Sequence, residues 1–535
     1  MKVQFNRQQN PNIQFKAAAF DVTLQYLATN QAVGANCVDL CSMVIPRTSN
    51  DMIKRGPAAG METLRREIMG TVNDSLIGCY GAAAGALIAF SLKKYGVNAN
   101  EMFTAPETLN ILAENKAEQI KQNKTRLDYI KQTLANLKAY NPASKKADKE
   151  GFVKLSEDAV NETSEIIERL MAKPKMGYKK WTSKKTPEAK NVIMNKITEA
   201  TGAQSKYVLE SLDKKHASST NLSAFLDDMY LVSKSFDEQK VAEAFNEQVK
   251  SGKAIKDNTF IKGLSKFMKT RAGLGFAMAS AVGLSVQPIN MYLTKLKTGS
   301  DGFVGVEGRT KDNSAGFAAL KTASSIGFFS MILATLKSSP LKFMSKMSFK
   351  GMWPTLEQLK GIYGITIISR IFSARDKDEL REVLTKDTLG YLSWLVLGDI
   401  VNKLAADNLD KSTLNYKRGT ENKNPFVRTF NAALKTRDEI LIETLADNGI
   451  SSVKEKDGKL AAKTFRELCE DLNKLDANVK KTARKRMNTL NKAQLADYLF
   501  SGLVLGFGIP SLNIYVTNKL DKKRKEKAEK FEINS

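Results

Sequence analysis

The chain has 535 residues, of which 42% are hydrophobic and 26% are charged, and this composition excludes a wholly disordered polypeptide. Its net charge of +26 indicates attraction to polyanions, although a compositional bias toward lysine and asparagine accounts for the excess equally well. With only 12 prolines and little apolar–polar alternation, the sequence predicts an all-α fold.

The residue inventory argues against most enzyme classes. His216 is the only histidine, so histidine acid–base catalysis, His-rich metal sites and Ser-His-Asp triads have no basis. The four cysteines form neither a disulfide framework nor a zinc-ligand set, because Cys37 and Cys41 lack a second pair. We therefore predict no cofactor and no metal, and we favour a protein that is not an enzyme.

Apolar and polar segments alternate along the chain. The N-terminus lacks the apolar core of a secretory signal peptide, so membrane insertion would depend on internal segments. The predicted regions are 1–74 (amphipathic), 75–92 (apolar helix), 95–270 (polar, basic and helical), 271–402 (apolar helical cluster), 403–496 (polar and helical), 497–518 (apolar helix) and 519–535 (basic tail).

Four uncharged stretches define the apolar segments. Residues 75–92, 272–294 and 498–518 comprise 18, 23 and 21 residues, and each falls within the roughly 17–25 residues of a spanning helix. The fourth stretch, 322–336, comprises only 15 residues and is short for a span.

Two weaker apolar runs, 361–369 and 388–398, are too short to span a bilayer alone. They end at Arg370 and Asp399. An ionisable group at membrane depth is a functional candidate by default. We interpret both charges instead as helix ends at the water boundary.

The polar region 95–270 carries an apolar repeat. Thr104-Ala-Pro-Glu107 has the spacing of a capping box, and apolar residues recur every seven positions from Ile120 to Leu134. This pattern predicts an amphipathic helix that runs to about Tyr140. A second helix at about 153–172 is expected to fold back on it.

Small residues recur at helical spacing in the apolar segments. In lipid, such residues let helix backbones approach closely and so drive association. In a soluble protein they would mark helices buried on all sides. The predicted packing residues are Gly81, Gly85, Gly273, Ala277, Gly502 and Gly506, and a second row consists of Gly275, Ala279 and Gly283.

The connection between the second and third apolar stretches is rich in glycine and ends in cations. Glycine-rich backbone beside cations suits a phosphate or a lipid head group. A flexible link between helices explains the same pattern without a ligand. The residues concerned are Gly302, Gly305, Gly308, Arg309 and Lys311.

The basic tail directly follows the last apolar stretch, which predicts a cytoplasmic C-terminus in contact with anionic lipid. Four spans would place both termini on one side and the basic region 95–270 on the other. Such a long segment can cross regardless of its charge. The tail residues concerned are Lys519, Lys522, Lys523, Arg524 and Lys525.

The sequence therefore predicts an all-α, membrane-associated protein, integral or peripheral, with a transport, pore or scaffold role. The alternative is a soluble, cytoplasmic all-α scaffold or interaction protein whose apolar stretches form its core. A third hypothesis is an enzyme that acts on lipid or phosphate near the glycine-rich connection. A protein partner is compatible with each, whereas no motif supports specific nucleic-acid recognition.

Overall fold

Helices dominate the fold: the computed structural model is 75% helical with little strand, which confirms the all-α prediction. The residues that the structure describes are 23–24, 26–27, 31–173, 177–183, 189–299, 311–348, 354–430 and 432–534.

Helices and strands are numbered separately in chain order. The α-helices are α1 (Gln31–Val38), α2 (Ile45–Arg55), α3 (Pro57–Ser75), α4 (Ile77–Ile88), α5 (Pro106–Lys121), α6 (Arg126–Ala135), α7 (Glu157–Met171), α8 (Tyr178–Trp181), α9 (Lys190–Thr201), α10 (Leu222–Ser235), α11 (Gln239–Ser251), α12 (Thr259–Thr298), α13 (Ala315–Thr335), α14 (Phe343–Lys346), α15 (Leu356–Ser373), α16 (Lys377–Leu392), α17 (Gly398–Leu409), α18 (Pro425–Phe430), α19 (Arg437–Asp447), α20 (Phe465–Lys474), α21 (Ala477–Ser501) and α22 (Ile509–Asn534). The strands are β1 (Leu137–Tyr140), β2 (Phe152–Lys154), β3 (Tyr207–Glu210), β4 (Ala217–Thr220), β5 (Leu414–Asn415), β6 (Ala433–Leu434), β7 (Val453–Lys456) and β8 (Lys459–Ala462).

Three π-helical segments connect helices without a break. They are Asp39–Val44 between α1 and α2, Ser393–Leu397 between α16 and α17, and Gly502–Gly508 between α21 and α22. Short 3₁₀ turns lie at Ala89–Tyr95, Ala99–Glu101, Ile255–Asp257, Pro340–Lys342 and Lys411–Thr413.

Seven helical segments lie side by side in an up-and-down bundle: α1–α2, α3–α4, α12, α13, α15, α16–α17 and α21–α22. Their directions follow from the side chains that meet. Arg65 of α3 donates to Asn290 of α12 at 2.8 Å, whereas Asn73 donates to the Ala279 carbonyl at 3.3 Å, so α3 and α12 are antiparallel.

Consecutive segments alternate in direction throughout. Lys321 of α13 donates to the Phe372 carbonyl at 3.0 Å, and Ile332 contacts Gly364, so α13 and α15 are also antiparallel. Further pairs that set the directions are Asp51 with Thr63, Arg370 with Asp387, Tyr363 with Trp394, Glu382 with Thr517 and Gly398 with Asp497.

Polar domains cover one end of the bundle. The first, between α4 and α12, contains α5–α11 and an antiparallel sheet in the order β2-β1-β3-β4. The second, between α17 and α21, contains α18–α20 and the strand pairs β5-β6 and β7-β8. The two domains touch, because Glu439 accepts from the backbone N–H groups of Gln204 and Ser205 at 2.6 and 3.1 Å. The basic tail leaves the opposite end.

The predicted amphipathic helix up to Tyr140 is wrong. A capping box at Thr125 and Asp128 starts α6 as a new helix, and Leu137–Tyr140 pairs into the sheet as β1. The predicted capping box at Thr104 is also wrong, because its hydroxyl donates to Asp228 at 2.8 Å and caps nothing. Residues 152–154 form β2, so the helix expected at about 153–172 starts only at α7.

Within the part of the chain that the structure describes, three helices are long and apolar enough to cross a membrane: Thr259–Lys297, Ala315–Thr335 and Ala477–Leu520. The pair Pro57–Ser75 and Ile77–Tyr95, bent by 49°, makes a fourth if it is counted as one span. The uncharged stretch 322–336, short for a span by itself, lies in a 21-residue helix because α13 begins before Lys321.

Candidate functional site

The glycine-rich connection falls almost wholly outside the described residues. Gly302, Gly305, Gly308 and Arg309 lie there, and only Lys311 is described, as an exposed residue before α13. A phosphate or head-group site at this connection stays a prediction.

The basic tail continues α22 as one helix. Lys519 and Lys522 are exposed, and the Lys519 ammonium lies 5.9 Å from the centre of the Tyr515 ring. The backbone of Lys523, Arg524 and Lys525 belongs to the same helix. Lipid contact by the tail stays a prediction.

Two of the small-residue pairs lie at helix crossings. A Cβ at Gly506 would lie 2.9 Å from the Cβ of Pro46, and one at Gly85 would lie 3.0 Å from the Arg271 Cδ. Their companions Gly81 and Gly502 are buried and half-buried. These glycines let the α21–α22 rod approach α2 and let α4 approach α12.

On α12 the other row of small residues makes the contact. Gly273 has no atom near its missing Cβ, and Ala277 is exposed. A Cβ at Gly283 would instead lie 2.7 Å from the Thr366 hydroxyl of α15, and Ala279 is fully buried. The face with Gly273 and Ala277 therefore points away from the bundle.

A buried charge network at the centre of the bundle was not predicted. One carboxylate, Glu67 of α3, is shared by four cations. The nitrogen–oxygen distances are 3.3 Å to Lys386, 3.4 Å to Arg370, 3.5 Å to Arg47 and 3.5 Å to Arg66. All exceed the roughly 2.7–2.9 Å of a close charge-assisted hydrogen bond.

A second carboxylate completes the network. Asp387 of α16 accepts from the Arg370 guanidinium at 3.1 Å. Arg370 does lie in the last turn of α15, but its side chain is only 4% exposed, so the interpretation that it lies at the water boundary is wrong. Asp399 is 55% exposed and pairs with Lys403. The sequence signal for Arg370 was its place between apolar residues on both sides.

The network lies level with the C-terminal part of the longest apolar stretch. Ser369, next to Arg370, donates to the Leu284 carbonyl, Arg65 donates to Asn290, and Gln287 of the same helix lines the cleft beside the network. These positions fall within the uncharged residues 272–294. The charges are therefore enclosed by helices whose outer faces are apolar.

Two further ionisable groups lie at the network. Asp39, in the first π-helical segment, is 5% exposed and accepts from the Thr71 hydroxyl, and the Lys386 ammonium lies 3.3 Å from Glu67. A charge in a low-dielectric interior is costly unless it is paired.

A cleft of about 120 Å³ leads from the tail end of the bundle to the network. Its mouth is lined by ion pairs that are already formed, Arg375 with Glu379 at 3.2 Å and Arg55 with Glu382 at 3.8 Å. The charged residues that line it are Arg47, Asp51, Arg55, Glu62, Arg66, Arg370, Arg375, Glu379, Glu382, Lys386 and Asp387.

The three π-helical segments meet beside this cleft. The segment Gly502–Gly508 contacts both Asp39–Val44 and Ser393–Leu397. π-Helical turns are rare and frequently occur at functional sites. Their convergence next to buried charges marks the same region of the bundle.

The comparisons with known proteins gave no match: no family model, no curated protein and no solved structure is similar to this chain. Within the described ranges, no group of His, Cys, Asp and Glu side chains gathers in a way that could hold a metal ion.

Proposed function

We propose that this chain is an integral membrane protein that carries a polar solute along the charged cleft. In this proposal α3–α4, α12, α13 and the α21–α22 rod cross the bilayer, and α15 and α16 lie among them. The outer faces of the apolar helices contact lipid, and the charged residues face the interior of the bundle.

One observation supports the proposal that the chain is an integral membrane protein: the most apolar helices are poorly buried. Only 28% of the most apolar window of α13 is buried, and the values for α12 and the α21–α22 rod are 33% and 39%. Water-exposed apolar surface forfeits about 25 cal/mol per Å². A soluble fold would bury these windows first, whereas lipid covers them without protein contacts.

Individual apolar side chains in these segments are exposed as well. Leu87 and Phe90, at the end of the first apolar segment, are 65% and 71% exposed. Leu503 and Phe507 in the last segment are 66% and 58% exposed, although Leu505 between them is fully buried. Large exposed apolar patches mark contact with membrane or with another protein.

The position of the buried charges supports the proposal that the chain carries a polar solute. Ionisable groups inside a membrane bundle are expensive, and those that occur face the interior and mark solute pathways. Glu67, Arg370 and Asp387 fit this description, since each is at most 5% exposed at its side chain. A scaffold needs no such network, because well-packed apolar residues stabilise a bundle at least as well.

The proposed orientation places the tail end in the cytoplasm. Basic residues cluster there within reach of head groups, including Lys519, Lys522 and Lys295. The two polar domains then lie together on the far side. Limited proteolysis of sealed, oriented vesicles tests this: the tail and the polar domains should be cut from opposite faces.

Transport is tested in proteoliposomes by osmotic shrinkage and recovery. The solutes are glycerol, choline chloride, potassium glutamate and potassium phosphate. Vesicles with the parent chain should recover faster than empty vesicles for at least one solute, and Arg66→Met, which leaves the Arg370–Asp387 pair in place, should reduce the difference. Arg466→Met is the matched control, since Arg466 is 87% exposed in a polar domain. Equal recovery with and without protein for every solute would refute transport.

The second candidate is a soluble scaffold whose exposed apolar faces are covered by a protein partner. The separate apolar core of the first polar domain, built around buried residues such as Trp181 and Phe225, favours it. A chain that stays monodisperse without detergent once a partner protein is bound would support this candidate over the membrane protein.

A further inference from the structure

The inner end of the cleft has more cationic hydrogen-bond donors than acceptors. Four cations share Glu67, and the other carboxylates within electrostatic reach of Arg370 are Asp387, Asp39 and Asp74. A carboxylate has about four lone-pair sites, so the four cations use the whole acceptor capacity of Glu67. Three guanidinium groups alone offer about fifteen N–H donors.

Several of these donors have no acceptor among the described residues. They are Nε and Nη2 of Arg47, Nε of Arg66 and Nε of Arg370. The Arg47 side chain is 1% exposed, so water outside the protein does not satisfy it. A buried, unpaired donor costs about 1–3 kcal/mol, and more when it is charged. Buried polar groups without a partner call for an ion or ligand that supplies one.

The acidic residues of the cleft do not meet this demand. Asp51 accepts from the Thr63 hydroxyl at 2.6 Å, Glu379 accepts from Arg375, and Glu382 accepts from Thr517 at 2.8 Å. Glu62 also lines the cleft, and Asp51 lies within electrostatic reach of Lys386. The cleft donors without an acceptor among the described residues are therefore confined to the guanidinium groups of Arg47, Arg66 and Arg370. The cavity of about 120 Å³ exceeds the roughly 10–15 Å³ of probe volume that holds one water, so it has room for a small ion.

We propose that the inner end of the cleft is a binding site for a small oxyanion, held by Arg47, Arg66 and Lys386 beside Glu67. Guanidinium groups bind phosphate and carboxylate oxygens in pairs, and an ammonium adds a point charge. The ligand is a phosphate, either free in solution or in a lipid head group that enters through the mouth. This site deepens the proposed function by naming its solute class.

The test is thermal unfolding of the full chain in detergent, with potassium phosphate titrated against potassium chloride at constant ionic strength. The parent melting temperature should rise with phosphate and saturate. Arg66→Gln should weaken phosphate binding about tenfold, because it removes charge-assisted hydrogen bonds. Arg375→Gln is the matched control, since it lines the same cleft but is engaged by Glu379, and it should bind phosphate within about twofold of the parent.

A gain-of-binding variant sharpens the test. Glu67→Gln removes the competing carboxylate and should bind phosphate more tightly than the parent, with phosphate restoring much of its lost stability. Where Glu67→Gln does not fold at any phosphate concentration, Arg66→Gln and Arg375→Gln decide the matter alone. A purely structural network would show no phosphate effect in any variant.

A lipid arm separates the two sources of the anion. If short-chain phosphatidic acid stabilises the parent but not Arg66→Gln, and free phosphate has no effect, the site is a head-group site. If neither ligand changes the melting temperature, or if all variants respond equally, the proposal is overturned. Binding in detergent needs neither insertion nor transport, so its failure is distinguishable from failure of the proposed function.

Discussion

Glu67 and Arg370 lie 3.4 Å apart, Oε2 to Nη2, although they are 303 positions apart in the chain. Their side chains are 5% and 4% exposed, so neither charge is solvated from outside. The contact joins α3 to α15 across the centre of the bundle. The attraction between the two charges offsets part of the free energy that burying each of them costs.

Removing one member of this pair should destabilise the bundle strongly. Arg370→Met leaves Glu67 with fewer cations and leaves Asp387 without its guanidinium, and breaking a buried ion pair in this way costs about 3–5 kcal/mol. The exposed pair Arg466–Glu470 is the control, because Arg466→Met should cost at most about 1 kcal/mol. Thermal unfolding in detergent measures the loss of stability in both variants. Similar losses in Arg370→Met and Arg466→Met would show that the buried ion pairs matter no more to stability than an exposed pair.

Lipid contact is tested at two apolar residues that the protein leaves more than half exposed. Leu503→Arg and Phe507→Arg should lose membrane insertion, at roughly 2.5–3.5 kcal/mol each near a helix centre. Phe426→Arg is the control, since Phe426 is 64% exposed but lies in a polar domain. The measurement is the yield of each variant in the membrane fraction. Leu505 is unsuitable because it is fully buried, and arginine there would unfold a soluble core as well.

Cys79 offers a test that needs no change at the apolar helices. It is exposed on α4, so in a soluble protein it should react quickly with a water-soluble maleimide. In intact membranes lipid should shield it, because the reactive thiolate requires water. Lys149→Cys, at an exposed position of the first polar domain, gives the rate of a solvated thiol in the same preparation. Equal rates at both positions would place Cys79 in water.

Local sequence patterns predicted the apolar helices. They could not predict which residues far apart in the chain contact each other. Runs without charged residues predicted α12, α13 and the α21–α22 rod, because the apolar residues of one helix are continuous in the sequence. The heptad repeat from Ile120 to Leu134 failed because the Thr125 cap and pairing with β3 broke the helix. The network was missed because Glu67 lies 303 positions from Arg370, and because Glu67 and Asp387 look like ordinary surface charges in their own helices. Arg370 stood out as a charge that interrupts an apolar run, but its partners could not be read from the sequence.

Contact between the apolar helices and lipid can be measured by a carbonate wash of membranes containing the full chain. Carbonate at high pH releases soluble and peripheral proteins and leaves integral proteins in the pellet. We expect the parent chain in the pellet after the wash, with release only by detergent. Recovery of the chain in the carbonate supernatant would show that these helices do not cross the bilayer.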